Sequence, residues 1–180
     1  MIRVVVSGSE CTGKTTLAKA LAEHYDAVWI PEYARQFVLD KGSPPDSWDV
    51  GAIARGQIAI EDKLTARASR LLILDTDLLS TVVYSHHYYG DCPNWIDEAL
   101  NERAADVYLL ADIDVPWTPD GDQRDRGDRR EEMQELFRRA LIERQLDFVE
   151  IHGSRQQRLL DSVSAIDRLL FREALGNLSP

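Results

Sequence analysis

The stretch Gly8-Ser9-Glu10-Cys11-Thr12-Gly13-Lys14-Thr15 constrains this chain more than any other. It follows the largely apolar run Ile2-Arg3-Val4-Val5-Val6 and opens the helical pattern Thr16-Leu17-Ala18-Lys19-Ala20-Leu21-Ala22. The spacing G-x-x-x-x-G-K-[ST] between a strand and a helix is that of a phosphate-binding loop. Its glycines let the backbone wrap a polyphosphate, so that successive amides form an anion nest. The helix behind the loop adds unpaired donors and partial positive charge. Gly8, Ser9, Glu10, Cys11, Thr12, Gly13, Lys14, Thr15 and Thr16 are therefore expected on a nucleoside triphosphate, ATP. Lys14 should reach the β- and γ-phosphates, and the Thr15 hydroxyl should ligate Mg²⁺.

The rest of the chain alternates apolar runs with helical patterns, which predicts an α/β fold with a single doubly wound parallel sheet of five strands. The strands are expected at residues 2–7, 27–31, 71–75, 107–111 and 148–151. Helices are expected from Lys14 to Tyr25, Tyr33 to Leu39, Trp48 to Arg70, Leu78 to Ser85 and Trp95 to Arg103. Two more should follow: one carrying Met133, Leu136, Phe137, Ala140 and Leu141 on one face, the other Leu159, Val163, Ile166 and Leu170. Residues 86–94, His-His-Tyr-Tyr-Gly-Asp-Cys-Pro-Asn, read as a loop, and His86 and His87 as surface polar residues. No linker or repeat divides the sequence, so residues 1–180 are expected to form one domain.

Parallel sheets bind ligands beyond the carboxyl ends of their strands, which singles out residues at those ends. Asp75 closes the strand Leu71-Leu72-Ile73-Leu74, where a carboxylate orients Mg²⁺ in phosphate-loop enzymes; the competing reading is a helix cap. Thr76 follows it, where hydrolytic motor ATPases carry a glutamate, and this favours transfer to a substrate. Asp77 divides evenly between capping the next helix and binding substrate. Glu32 ends the second strand and is the candidate general base for an alcohol acceptor, with Arg35 one turn on to steer it or to bind phosphate. Tyr33, Trp117, Tyr88 and Tyr89 are among the aromatics that could hold a flat ring.

Residues 112–130 are expected to form a lid. Arg124, Arg126, Arg129 and Arg130 stand among Asp120, Asp122, Asp125 and Asp128, with Gly121 and Gly127 to flex. Arg124 and Arg126 are placed on the transferred phosphoryl group. The formal charge of -10 disfavours non-specific nucleic-acid binding, since a phosphate backbone would meet a repulsive field. No apolar run reaches the ~20 residues of a membrane span, and no signal-peptide pattern is present. Cys11 and Cys92 form neither a disulfide framework nor a zinc spacing, which fits free thiols in a reducing cytoplasm.

Several pieces occur in a telling order: the loop Gly8–Thr15, Pro31-Glu32-Tyr33-Ala34-Arg35, Asp75-Thr76-Asp77, and Asp112-Ile113-Asp114-Val115-Pro116-Trp117 followed by Asp120-Gly121. Together they resemble the ribosylnicotinamide kinase domain at the C-terminus of bacterial NAD-biosynthesis regulators. The resemblance runs through Ile151-His152-Gly153-Ser154 and Arg158. It implies ATP- and Mg²⁺-dependent phosphorylation of the 5′-hydroxyl of nicotinamide riboside to nicotinamide mononucleotide. Pro31-Glu32 is also similar to deoxynucleoside kinases, whose glutamate there acts as base. Two departures matter. The sequence begins at the phosphate-loop strand and has no H-x-G-H signature, so the family's DNA-binding and nucleotidylyltransferase activities are not expected to transfer. The spacing after Asp120-Gly121 also differs, which leaves the lid arginine open. A kinase for another nucleoside and an ATP-binding switch are the alternatives; an N-K-x-D guanine signature is absent.

Overall fold

The computed structural model describes residues 1–116 and 129–176. The elements are β1 (Ile2–Ser7), α1 (Lys14–Tyr25), β2 (Val28–Ile30), α2 (Tyr33–Lys41), α3 (Val50–Thr65) and β3 (Leu71–Asp75). They continue with α4 (Leu78–Tyr89), α5 (Asn94–Glu102), β4 (Val107–Ala111), α6 (Arg130–Glu143), β5 (Phe148–Ile151) and α7 (Arg155–Gly176). The five strands pair in the order β2-β3-β1-β4-β5, all parallel. This is the expected α/β phosphate-loop NTPase architecture.

The apolar strands read as unbroken runs because both faces of the sheet are covered. Successive side chains point to opposite faces, and two separate cores take them alternately. Val5, Leu72, Leu74, Tyr108 and Leu110 enter the core beneath α3, α4, α5 and α6. Val4, Val6, Leu71, Ile73, Val107 and Leu109 enter the core beneath α1 and α7. The register agrees, with Val5 opposite Leu74 on one side and Tyr108 on the other.

Besides small shifts at the ends of α2 and α5, three elements differ from the sequence expectation. β2 is shorter, an edge strand bonded to β3 alone. α3 ends at Thr65, where two tighter turns close it through Arg67 N to Leu64 O and Ala68 N to Thr65 O. The third difference matters most: α4 runs on through His86, His87, Tyr88 and Tyr89 instead of ending at Ser85. It stops at Gly90, whose φ of 74° supplies the left-handed cap, its amide bonding His86 O. His86 is exposed as expected, but the His87 side chain is only 4% exposed and lies 4.0 Å from Glu132 of α6. Among the described residues no helix is long and apolar enough to cross a membrane.

Candidate active site

β1 delivers the phosphate loop to the middle of the sheet, and three side chains from distant helices hold it there. Gly8 has φ 127°, and a Cβ on it would stand 2.7 Å from Ala111 O, so the close approach of β4 requires glycine. From α6, Gln134 accepts from Ser9 N at 3.3 Å and donates to Ala111 O at 3.2 Å, joining loop to strand. From α7, Arg158 donates to Thr12 O at 2.8 Å, Asp112 O at 2.8 Å and Gly153 O at 3.0 Å, and pairs with Asp114. Arg130 reaches Val115 O at 3.1 Å and Cys11 O at 3.5 Å. Within the loop, Thr12 Oγ1 and Lys14 Nζ both donate to Ser9 O, at 2.9 and 2.7 Å.

No side chain caps α1, whose N-cap is Gly13 at φ 82°. The first amides of the helix are therefore left for an anion. The Thr15 hydroxyl stands near Asp75 and favours its ionised form. The other features of Asp75 fit a divalent cation. It is buried, and its Oδ1 has no hydrogen-bond partner among the described residues. Burial raises its pKa, against the pull of the Thr15 hydroxyl and Lys14. Thr15 and Asp75 thus offer the hard oxygen donors that Mg²⁺ takes.

The loop opens into a cavity of about 400 Å³. Lys14, Glu10, Cys11 and Glu32 stand at one end, with Arg35 beside them. Val38, Pro45, Val50 and Ile53 from the α2–α3 hairpin form one wall, and Thr81, Tyr84, Ser85, Tyr88 and Tyr89 from α4 form the other. The Tyr84 and Tyr88 rings stack with centroids 6.0 Å apart and planes within 8°. Tyr89 OH donates to Pro45 O at 2.9 Å and ties the two walls together.

Glu32 occupies the N-cap of α2, 23% exposed, with Arg35 Nε 3.8 Å from its carboxylate. Burial raises its pKa above the ordinary glutamate value; Lys14 opposes this, and nearby Asp75 adds to it. A carboxylate with raised basicity facing a cavity beside the phosphate loop is placed to accept a hydroxyl proton.

The structure brings Lys14, Thr15, Glu32, Asp75 and Arg35 to this edge. Thr16 is exposed on the first turn of α1. Asp77 lines the cavity, but both its oxygens serve the fold: Oδ1 caps α4 through Leu79 N at 3.0 Å, and Oδ2 accepts from Tyr108 OH at 2.8 Å. Burial pushes its carboxyl up to about 7. Tyr33, expected on the substrate, turns away: its ring lies over Gly56 of α3 and forms no part of the cavity wall. Trp117, Arg124 and Arg126 lie outside the described residues, as does most of the expected lid. Tyr84, Gln57, Gln134 and the role of Arg158 were not apparent from sequence. One available signal was Arg158 itself, a charge in register with Ser162 and Ile166 on the buried stripe of α7.

A family model described as an AAA domain matches residues 3–158. The chain belongs to that family. It is 27% identical over 154 residues to the trifunctional NAD biosynthesis/regulator protein NadR of Escherichia coli strain K12, across 82% of this chain. The NadR of Salmonella typhimurium gives the same figures. The chain spans 37% of the length of these curated relatives. The fold is shared with a crystal structure of NadR in complex with NAD and AMP-PNP, with a TM-score of 0.71 and 24% identity over 93% of this chain and 49% of that one. It is shared also with thymidylate kinase from Ehrlichia chaffeensis, at a TM-score of 0.68 and 16% identity, over 92% of this chain and 98% of that one. The resemblance to NAD-biosynthesis regulators read from the motifs is thereby borne out.

Proposed function

We propose that residues 1–180 form one ATP-dependent phosphotransferase unit that acts on the 5′-hydroxyl of nicotinamide riboside and yields nicotinamide mononucleotide. The observation that carries this reading is the cavity. It joins the phosphate loop, Lys14 and Glu32 at one end to an apolar, tyrosine-lined wall. A hydrolase needs room only for water, whereas this site has room for a flat ring and a sugar. The similarity to NadR proteins, one of them solved in complex with NR, supports nicotinamide riboside as the acceptor.

In this reading the loop amides and the head of α1 hold the triphosphate, and Lys14 exchanges Ser9 O for the β- and γ-phosphates. Mg²⁺, held by Thr15 and Asp75, would offset the negative charge of those phosphates. Glu32 accepts the proton of the 5′-hydroxyl as its oxygen attacks the γ-phosphorus in line, and ADP leaves. The α4 tyrosines position the base, which fixes the hydroxyl near Glu32.

The test is ATP turnover by the purified protein with Mg²⁺ and a panel of nucleosides, with product identified by mass spectrometry. Nicotinamide riboside should give the largest stimulation and a monophosphate product. Stimulation by another nucleoside would keep the chemistry and change the acceptor. Turnover indifferent to every nucleoside would overturn the reading in favour of an ATP-dependent switch.

A further inference from the structure

Glu32 caps α2 by position but not by bonding. Its backbone has the extended geometry of an N-cap, with φ −66° and ψ 115°, yet its side chain makes no capping hydrogen bond. An N-cap side chain ordinarily accepts from an amide two or three residues on, which would turn this carboxylate into the helix and away from the cavity. A different donor at the head of α2, the amide of the very next residue, is satisfied from another helix. Tyr33 N donates to Gln57 Oε1 of α3 at 2.9 Å. Gln57 is 3% exposed.

The orientation of that amide is fixed from behind. Gln57 Nε2 donates to Glu61 Oε1 at 3.1 Å, one turn further along α3. The other oxygen of Glu61 takes Arg3 Nη2 at 2.9 Å and lies 3.7 Å from Arg103 Nη1. A carboxylate flanked by two guanidinium groups only accepts, so Gln57 must present its NH₂ to Glu61 and its carbonyl to Tyr33. The preceding residue completes the arrangement. A Cβ on Gly56 would stand 1.9 Å from the Tyr33 ring, so the ring lies directly on the α3 backbone. Two consecutive residues of α3 therefore hold both the ring and the amide of the residue next to Glu32.

We propose that Gln57 is the positioning residue for Glu32: by holding the first amide of α2 from α3, it fixes the backbone from which the Glu32 carboxylate reaches the cavity. The inference rests on the assignment of Glu32 as the base. Glu61 acts one step behind, by holding the Gln57 amide.

Gln57→Met keeps the length and volume of the side chain and removes the acceptor. It should lower kcat for nicotinamide riboside about 10- to 100-fold, the usual effect of a misplaced catalytic group, with KM for ATP unchanged. In a Glu32→Gln background the same substitution should have no further effect on kcat, because it acts through the group already removed. Unchanged kcat in the single variant, or effects that multiply in the double variant, would overturn the proposal. Should Gln57→Met fail to fold, Glu61→Gln frees the amide to rotate and is read in the same way, single and double. A second readout does not need activity: amide hydrogen exchange at Tyr33 should accelerate about tenfold in the variant. If the wild type phosphorylates no acceptor, the functional reading has failed, and the exchange measurement decides the capping alone; unaltered exchange would overturn it.

Discussion

The phosphate loop and the α2–α4 wall share one cavity but are built by opposite means. The loop is held by polar clamps on its backbone: Arg158 on Thr12 O, Arg130 on Cys11 O and Gln134 on Ser9 N. The wall is held by apolar and aromatic packing, with the Tyr89–Pro45 bond as a tie. The difference follows from the ligands each side receives. A triphosphate presents the same oxygens whatever its base, so a fixed backbone suffices, and its geometry is written in eight consecutive residues. An acceptor differs in shape and charge, so side chains from separate helices must recognise it.

Substitutions on the loop side should therefore affect ATP use whatever the acceptor. The largest effect is expected at Lys14. Lys14→Ala should fold and lose transfer, at a cost on the order of several kcal/mol in the transition state. Steady-state assays together with circular dichroism would check this. Near-normal turnover by a folded variant would remove the loop from the chemistry.

Glu32 lies where the two regions meet, and its substitution should separate chemistry from binding. Glu32→Gln keeps the shape and removes the proton acceptor, so kcat should fall about 10²–10⁴-fold with ATP affinity little changed. The base must be deprotonated to work, and burial raises its pKa. The wild-type rate should therefore decline, as pH falls, at higher pH than an ordinary glutamate would give. That acid limb should vanish from the residual activity of Glu32→Gln. A pH–kcat profile of both proteins measures this, and an unchanged limb would move the base elsewhere.

A third substitution tests the clamps. Arg158→Met leaves the carbonyls of Thr12, Asp112 and Gly153 without this donor and takes the guanidinium from Asp114, which keeps the Gly153 amide. Each buried acceptor so stranded costs about 1–3 kcal/mol where water cannot replace the donor. Urea denaturation should show a loss of that order, and ATP affinity should fall while the acceptor's KM holds. Weakened acceptor binding with intact ATP binding would reverse the comparison.

The same contrast explains what could be read from the sequence. The span from β1 through the loop to α1 was legible because every residue that defines it is local. The buried strands were legible because two covered faces leave an uninterrupted apolar run. The end of α4 was not, since His86-His87-Tyr88-Tyr89 has the composition of a loop. Its helical state comes from packing: His87 is buried near α6, and Tyr88 and Tyr89 face the cavity. Gln57, Gln134 and Arg158 were hidden for a related reason. Each is an ordinary helical polar residue whose partner lies 24, 125 or 146 positions away. Tyr33 misled because its neighbours in sequence face the site, while the gap left by Gly56 draws its ring to α3.

The smallest expected effect is the most specific to the wall. Tyr89→Phe deletes the hydroxyl that donates to Pro45 O and leaves the ring in place beside the cavity. Pro45 is half-buried, so water can reach its carbonyl and recover part of the loss. The net cost should be about 1 kcal/mol, the ordinary worth of such a bond. That energy restrains the α2–α3 loop against α4 and touches neither the phosphate loop nor Glu32. It should therefore appear as a roughly fivefold rise in the KM for nicotinamide riboside, with kcat and the KM for ATP unchanged. A rise confined to the ATP KM would mean that the wall and the loop are coupled, and that the division between them is not one of function.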